Sequence, residues 1–195
     1  MRHLRILTLA LLFLSLPAQV ATSKGIKKSV PYGKKKTTAY IQGGLAMQFP
    51  VGELGRVTES DAWFGGSLAL GRMVEPWLAI QARGAVIHID RTDTNNALYL
   101  VETKLYPLNI KRKRRKSQMI QPYVLAGTGG ETRFGGEGKS GTSFVFELGA
   151  GLDMMLGDHL GLFGQFGWEL VTDSPSSDIS DASQIGVTTG LIYRF

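Results

Sequence analysis

Few residues in this chain have the type and spacing that chemistry requires. Gly138-Lys139-Ser140 ends like a phosphate-binding loop, in which a lysine and a hydroxyl meet phosphate and magnesium. That motif needs its first glycine where Arg133 stands, and a strand-to-helix setting that the neighbouring residues do not supply. Gly127-Thr128-Gly129 opens like a dinucleotide fingerprint, but Thr132 takes the place of the third glycine. Nucleophilic catalysis needs a base within reach of a serine, threonine or cysteine. Beyond residue 21 the histidines are His88 and His159, and the chain has no cysteine. His88 stands close to Asp90, Thr92 and Asp93, with no serine placed beside it. No cofactor, metal-ligand set or disulfide framework follows from these residues.

The remaining candidates are charges set singly among small and apolar residues: Arg83, Glu102, Lys104, Glu147, Asp153, Glu169 and Arg194. Each sits where apolar residues recur at every second place, so each belongs to a strand and to its less apolar face. Ile41, Leu45, Met47 and Phe49 share one parity; Tyr40, Gln42, Gly44, Ala46 and Gln48 share the other. Phe144, Phe146, Leu148, Ala150, Leu152 and Met154 alternate with Glu147, Gly149, Gly151 and Asp153. Leu160, Leu162, Phe166, Trp168 and Leu170 alternate with Gln165, Gly167 and Glu169. Eight such segments follow one another from residue 37 to the end. Around 119–129 both Ile120-Val124-Ala126 and Tyr123-Leu125 are apolar, so the faces there stay open.

The content of the two faces narrows the fold. A soluble barrel or sandwich turns its apolar face inward and carries many scattered charges outside. Here one face is free of charge along each segment, as lipid contact demands. The other is rich in glycine, alanine and serine, which suit the taper of a narrow barrel interior. We therefore expect an all-β fold, an eight-stranded antiparallel up-and-down transmembrane barrel. The seven isolated charges then face the lumen, where pairing is expected because an unpaired buried charge is costly. Connections 50–61, 90–96, 130–142 and 172–183 read as outward loops, and 72–76, 107–117 and 155–159 as periplasmic ones. Trp63, Trp77, Trp168, Tyr99 and Tyr193 fall near strand ends, where an aromatic girdle belongs.

Arg2 and Arg5, the apolar run from Ile6 to Leu16 and the small residues up to Ala21 read as a secretory signal over residues 1–21. That run is too short to span a bilayer as a helix. Residues 22–36 read as a basic periplasmic linker and 37–195 as the barrel. The net charge of +6 comes from two clusters, Lys24, Lys27, Lys28, Lys34, Lys35 and Lys36, and then Lys111, Arg112, Lys113, Arg114, Arg115 and Lys116. Without these twelve and the two signal arginines, eight basic residues stand against sixteen acidic ones, so the body of the chain is acidic. Neither cluster carries interleaved aromatics, which argues against nucleic-acid binding.

The last residues, Gly190-Leu191-Ile192-Tyr193-Arg194-Phe195, resemble the C-terminal signature of outer-membrane proteins. Pro122-Tyr123-Val124-Leu125-Ala126-Gly127 and Leu148-Gly149-Ala150-Gly151-Leu152-Asp153 resemble strand phrases of the outer-membrane β-barrel domain family, which includes the small opacity-type and porin-like barrels. The resemblance implies a bacterial outer-membrane location, outer-membrane lipid around the barrel, and recognition of Tyr193 and Phe195 by the barrel-assembly machinery. Some small barrels of this kind modify lipid A with a serine and histidine set at one rim, which points to the surroundings of His88. Members of the family do different jobs, so the fold does not carry the function.

Four readings follow. The first is a structural or interaction barrel without catalysis. The second is a narrow channel for small solutes past Arg83, Glu102 and Glu147, and the third a lipid A-modifying enzyme. The last is a soluble lipocalin-like barrel with a central ligand. Eight strands leave an interior about wide enough for side chains to fill, which favours a lumen plugged by paired charges. The run from Lys111 to Lys116 and the basic linker suit anionic phospholipid, at about 1 kcal/mol per residue near a surface, or peptidoglycan. A solvated loop and linker are the plainer account of the same residues.

Overall fold

A computed structural model describes residues 38–51, 62–89, 94–110, 119–135, 141–172 and 182–195. The regions read as signal and basic linker lie outside these residues. Eight strands form one closed antiparallel barrel in sequence order: β1 (Ala39–Val51), β2 (Trp63–Glu75), β3 (Leu78–Ile89), β4 (Thr94–Leu105), β5 (Ile120–Gly135), β6 (Gly141–Met155), β7 (Leu160–Thr172) and β8 (Ala182–Arg194). Period-two alternation makes these segments strands, and pairing β8 with β1 from Tyr40–Arg194 to Val51–Ser183 leaves no open edge. In a bilayer that closure is obligatory, because no water is available to satisfy edge N–H and C=O groups.

Both described ends of the chain lie at one end of the barrel. There the backbone N–H of Phe195 donates to the Ala39 carbonyl (2.9 Å) and that of Arg194 to the His159 carbonyl (2.7 Å). The same end holds a tight turn at Pro76-Trp77, the connection from Leu156 to His159, and a 3₁₀ turn at Pro107–Asn109. The side-chain amide of Asn109 donates to the Pro76 carbonyl (2.9 Å), tying the 3₁₀ turn to its neighbour.

Outward positions carry no charge over the middle of every strand and are mostly apolar. Leu45, Leu68, Leu70, Val86, Val101, Phe146, Leu148 and Leu191 are all exposed there. Charged residues on this surface, Arg72 and Glu75, sit at the end of β2 beside the terminal end of the barrel. Burying this band in lipid rather than water is what stabilises it. Inward positions form two apolar clusters, one around Trp63, Ile87, Leu98 and Val145, the other around Tyr40, Tyr106, Tyr123 and Phe163.

Several expectations change at the strand ends. β5 continues to Gly135, whose left-handed φ of 87° ends the strand, and β6 begins at Gly141. Most of the loop expected at 130–142 is therefore wall. β4 likewise begins at Thr94, so the 90–96 connection is shorter than expected. Around 119–129 the ambiguity resolves: Gln121, Tyr123 and Leu125 point inward, while Val124 and Ala126 point out. Trp63 leaves the girdle altogether. It shares the parity of Ala69 and Met73, which turns it into the lumen, where it is 1% exposed.

Candidate functional site in the barrel lumen

The register of the sheet organises the interior. Following Cα partners around the ring from Tyr40 leads through Gly71, Gln81, Glu102, Gly127, Glu147, Glu169 and Gln184. The path then returns to β1 at Pro50, ten residues further along. That offset tilts the strands and makes the row climb from the terminal end toward the opposite mouth. Five of these eight residues are long polar side chains, one is Tyr40, and Gly71 and Gly127 are glycines. A Cβ on Gly71 would lie 2.2 Å from the Tyr40 ring, and one on Gly151 2.3 Å from the Tyr123 ring. Glycine is required there by space: it lets an aromatic ring lie flat along the wall beside its cross-strand partner.

Midway along the lumen, Arg83 on β3 is the centre of an ionic cluster. Its Nε lies 2.5 Å from Glu102 on β4, and one terminal nitrogen lies 2.5 Å from Glu147 on β6 and 3.6 Å from Glu169 on β7. Its other terminal nitrogen donates to Thr188 Oγ1 on β8 (3.3 Å). A planar guanidinium spreads five donors over three nitrogens, so it reaches carboxylates on three strands and Thr188 at once, where a lysine would offer three donors from a single nitrogen.

Toward the terminal end the chemistry differs. Lys104 on β4 is fully buried, donates to Gln42 Oε1 on β1 (2.9 Å), and lies 4.4 Å from the Tyr123 ring centroid and 5.8 Å from that of Tyr40. Below it, Arg194 pairs with Asp153 (2.9 Å) and donates to Gln121 Oε1, while the Tyr106 hydroxyl donates to the same Asp153 oxygen (3.0 Å). Two matching relays join this level to the arginine. The Tyr40 hydroxyl donates to Gln81 Oε1 (2.9 Å), and the amide of Gln81 donates to Glu102. On the other side the Tyr123 hydroxyl donates to Gln165 Oε1 (3.3 Å), and Gln165 Nε2 donates to Glu147 (3.4 Å). Each glutamine accepts from below through its amide oxygen and donates above through its amide nitrogen, so the relay carries no charge of its own.

At the mouth opposite the termini, Gln48 Nε2 donates to Glu169 (2.7 Å) and accepts from Asn96 Nδ2 (3.2 Å). Gln184 donates to Glu131 (2.7 Å), whose other oxygen accepts from Arg133 Nε (3.0 Å). Arg133 in turn stands 5.9 Å above the buried Trp63 ring.

The seven singled-out charges all lie in this lumen, buried. Arg83, Glu102, Glu147 and Glu169 meet in one cluster; Arg194 and Asp153 meet in another; Lys104 makes no ion pair among the described residues. Sequence reasoning missed Glu131, which it left in a loop, although stepping by two from Gly127 through Gly129 reaches it. It set Gln48, Gln81 and Gln165 on the less apolar face without giving them, or Gln184, the role of joining the charges. Tyr193 and Phe195 are exposed on the outer surface, rings edge to face at 5.2 Å, with His159 stacked on Tyr193 at 5.7 Å. His88 faces outward, its Nδ1 3.1 Å from Asn95 Oδ1. The basic run from Lys111 to Lys116 lies outside the described residues. Among the described residues no group of three histidine, cysteine or acidic side chains is arranged to hold a metal.

A closed eight-stranded barrel, apolar and uncharged around its waist and filled by paired charges, defines a small outer-membrane barrel. The chain belongs to the outer membrane protein β-barrel domain family, whose model matches residues 6–195. It is a bacterial outer-membrane protein, and the end carrying Thr38 and Phe195, the two described ends of the chain, is the periplasmic end of such barrels. Its fold is similar to Neisserial surface protein A (TM-score 0.63, 12% identity, 82% of this chain and 100% of that one). It is also similar to OprG from Pseudomonas aeruginosa (0.53, 14%, 84% and 98%). A third likeness is to Ail, the attachment invasion locus protein of Yersinia pestis (0.52, 16%, 82% and 99%). At these identities the likeness is one of fold. No curated protein matches the sequence.

Proposed function

We propose that this protein is a sealed, non-catalytic outer-membrane barrel with a structural or interaction role. The observation that carries the reading is the set of bonds crossing the lumen between strands three apart in the ring. Arg83 on β3 reaches Glu147 on β6 and Thr188 on β8, Lys104 on β4 reaches Gln42 on β1, and Asn96 on β4 reaches Gln48 on β1. Ties that long occupy the space a solute would need, in a barrel whose interior is only about as wide as its side chains. In planar bilayers the purified protein is expected to give no single-channel current. Steady openings in the unaltered protein would favour the narrow channel instead.

His88 Nδ1 stands against an amide oxygen, Asn95 Oδ1, rather than a serine hydroxyl, which favours an ordinary interfacial histidine. His88→Ala should leave the lipid A acylation pattern of cells unchanged, and a changed pattern would revive the enzyme. For the interaction role, the connection holding Lys111 to Lys116 leaves the barrel after Ile110 and returns at Met119, at the periplasmic end. Six consecutive cations there suit anionic phospholipid head groups of the inner leaflet, with peptidoglycan as the other acidic surface within reach. Neutralising all six should abolish salt-sensitive binding to anionic vesicles. Tyr193 and Phe195, at the end of the last strand, are proposed as the assembly signal.

A further inference from the structure

We propose that the 3₁₀ turn after β4 is a lipid anchor: Leu108 and Ile110 insert into the inner leaflet, and so bring the cations that follow them to anionic phospholipid. The inference rests on the phospholipid reading of the basic run and goes beyond it by naming the residues that fix where that run begins. Leu108 is 50% exposed and Ile110 60%, in a turn where water contact would favour polar residues. They are not isolated. Val74 and Trp77 are exposed where β2 passes into β3, and Leu156 where β6 passes into β7. Ile80, Leu105 and Leu160 carry the exposed apolar wall down to the same rim. The apolar surface of the turns is thus continuous with the band that lipid covers, and an exposed tryptophan at its edge suits the head-group level.

The turn is held in place from two sides. Inside the lumen, Tyr106 is buried and its hydroxyl donates to Asp153. Toward the neighbouring turn, the Tyr106 N–H donates to the Trp77 carbonyl (2.8 Å) and the Asn109 side chain to the Pro76 carbonyl (2.9 Å). The N–H groups of Asn109 and Ile110 donate to the carbonyls of Tyr106 (3.0 Å) and Pro107 (3.3 Å), and Pro107 has no N–H to satisfy. Backbone donors met in this way suit a place short of water. Lys111 follows Ile110 directly, and five more cations follow it. An apolar insertion and a polybasic segment together attach to an anionic membrane more firmly than either does alone. The pairing selects phospholipid over peptidoglycan, which has no apolar layer to receive Leu108 and Ile110.

The test places a nitroxide at Leu108→Cys, Ile110→Cys or Asp158→Cys, each the only thiol in the chain. Asp158, exposed between β6 and β7, is the aqueous reference at the same end. Each variant is reconstituted in phosphatidylcholine vesicles containing phosphatidylglycerol and shown folded by its β-sheet circular dichroism. Collisions are measured with oxygen, which concentrates in lipid, and with a water-soluble nickel chelate. The oxygen-to-chelate ratio at 108 and 110 should exceed that at 158 about tenfold, as burial of apolar side chains in lipid implies. Equal ratios would put the turn in water and overturn the proposal. Few collisions with either reagent would mean that protein covers the turn, and would overturn it too.

A second readout follows the cations. Energy transfer from Trp77, taken as the signal lost in Trp77→Phe, should be greater to dansyl-labelled phosphatidylglycerol than to phosphatidylcholine bearing the same label. Leu108→Ser with Ile110→Ser should remove most of that excess, and an undiminished excess would overturn the anchoring role. Neutralising Lys111 to Lys116 should abolish the excess while the ratios at 108 and 110 stay high. No excess in the parent would instead remove the phospholipid reading of the basic run, with the nitroxide ratios still deciding whether the turn is inserted.

Discussion

Arg83 and Lys104 are two buried cations on neighbouring strands of one barrel, held in opposite ways. Arg83 is surrounded by three carboxylates within 4 Å. Lys104 has one amide oxygen and two tyrosine faces. The first is an ionic node in which each partner is costly to leave alone. The second is an amphipathic stem packed in an aromatic slot, with its ammonium stabilised by ring quadrupoles and one hydrogen bond. The difference teaches that burial of a charge does not by itself say how much the fold relies on it. The number of groups that would be stranded by its loss does.

The largest expected effect is therefore at Arg83. Arg83→Ala strands Glu102, Glu147 and Glu169 in a dry interior, and breaking such a buried set costs about 3–5 kcal/mol. Urea unfolding in lipid vesicles should show a loss of that size, and Arg83→Lys should recover little of it, since an ammonium cannot match the fork geometry. If Arg83→Ala cost no more than the same change at Lys104, the contrast between the two cations would be wrong.

The next effect tests the slot rather than the charge. Gly151→Ala places a methyl against the Tyr123 ring, with the added carbon 2.3 Å from it before any adjustment. The ring must leave the wall and disturb the face it offers Lys104, so about 1–3 kcal/mol of overpacking cost is expected. A fluorescence or unfolding measurement showing no change would mean that the ring has room to move, and that the slot is not a fixed element. Tyr123→Phe is milder. It keeps the ring and removes the hydroxyl that donates to Gln165, for a loss of about 1 kcal/mol in the same unfolding assay.

How far the sequence foretells this arrangement follows from what alternation can and cannot encode. The faces of β1, β6 and β7 are legible because apolar residues alternate there with small or polar ones at most positions, Val145 and Phe163 being exceptions. The fold class follows from the same pattern, and the matched family agrees with it. Trp63 misleads because an aromatic at a strand end suits a girdle as well as a lumen, and only the parity running down to Met73 separates the two. Glu131 is hidden by its glycine-rich neighbours, which read as a loop although Gly129 is as much an inward strand position as Gly127. The pairing of charges is beyond reach of the sequence for a different reason. Arg83 and Glu147 are 64 residues apart, and they meet only because a ten-residue offset on closing the ring sets which levels of β3 and β6 face each other. Nothing local in either strand specifies that offset.

The smallest expected effect is Lys104→Met, and it is the sharpest probe of the comparison. Methionine keeps most of the length and volume of the lysine stem, so the aromatic slot stays filled. It removes an ammonium whose burial is unfavourable and which has no ion pair among the described residues. It also leaves Gln42 Oε1 without its donor, a cost of about 1–3 kcal/mol if no water reaches it. Sulfur–aromatic contact with Tyr123 returns about 0.3–1.5 kcal/mol of that. These terms oppose one another and should nearly cancel, leaving a stability change within about 1 kcal/mol in urea unfolding. Asp153 does not alter the outcome, because Arg194, Tyr106 and Gln42 already bond its two oxygens. A loss approaching that of Arg83→Ala would show that Lys104 is an ionic element after all, acting on Asp153 and Glu102 over a longer range than a hydrogen bond.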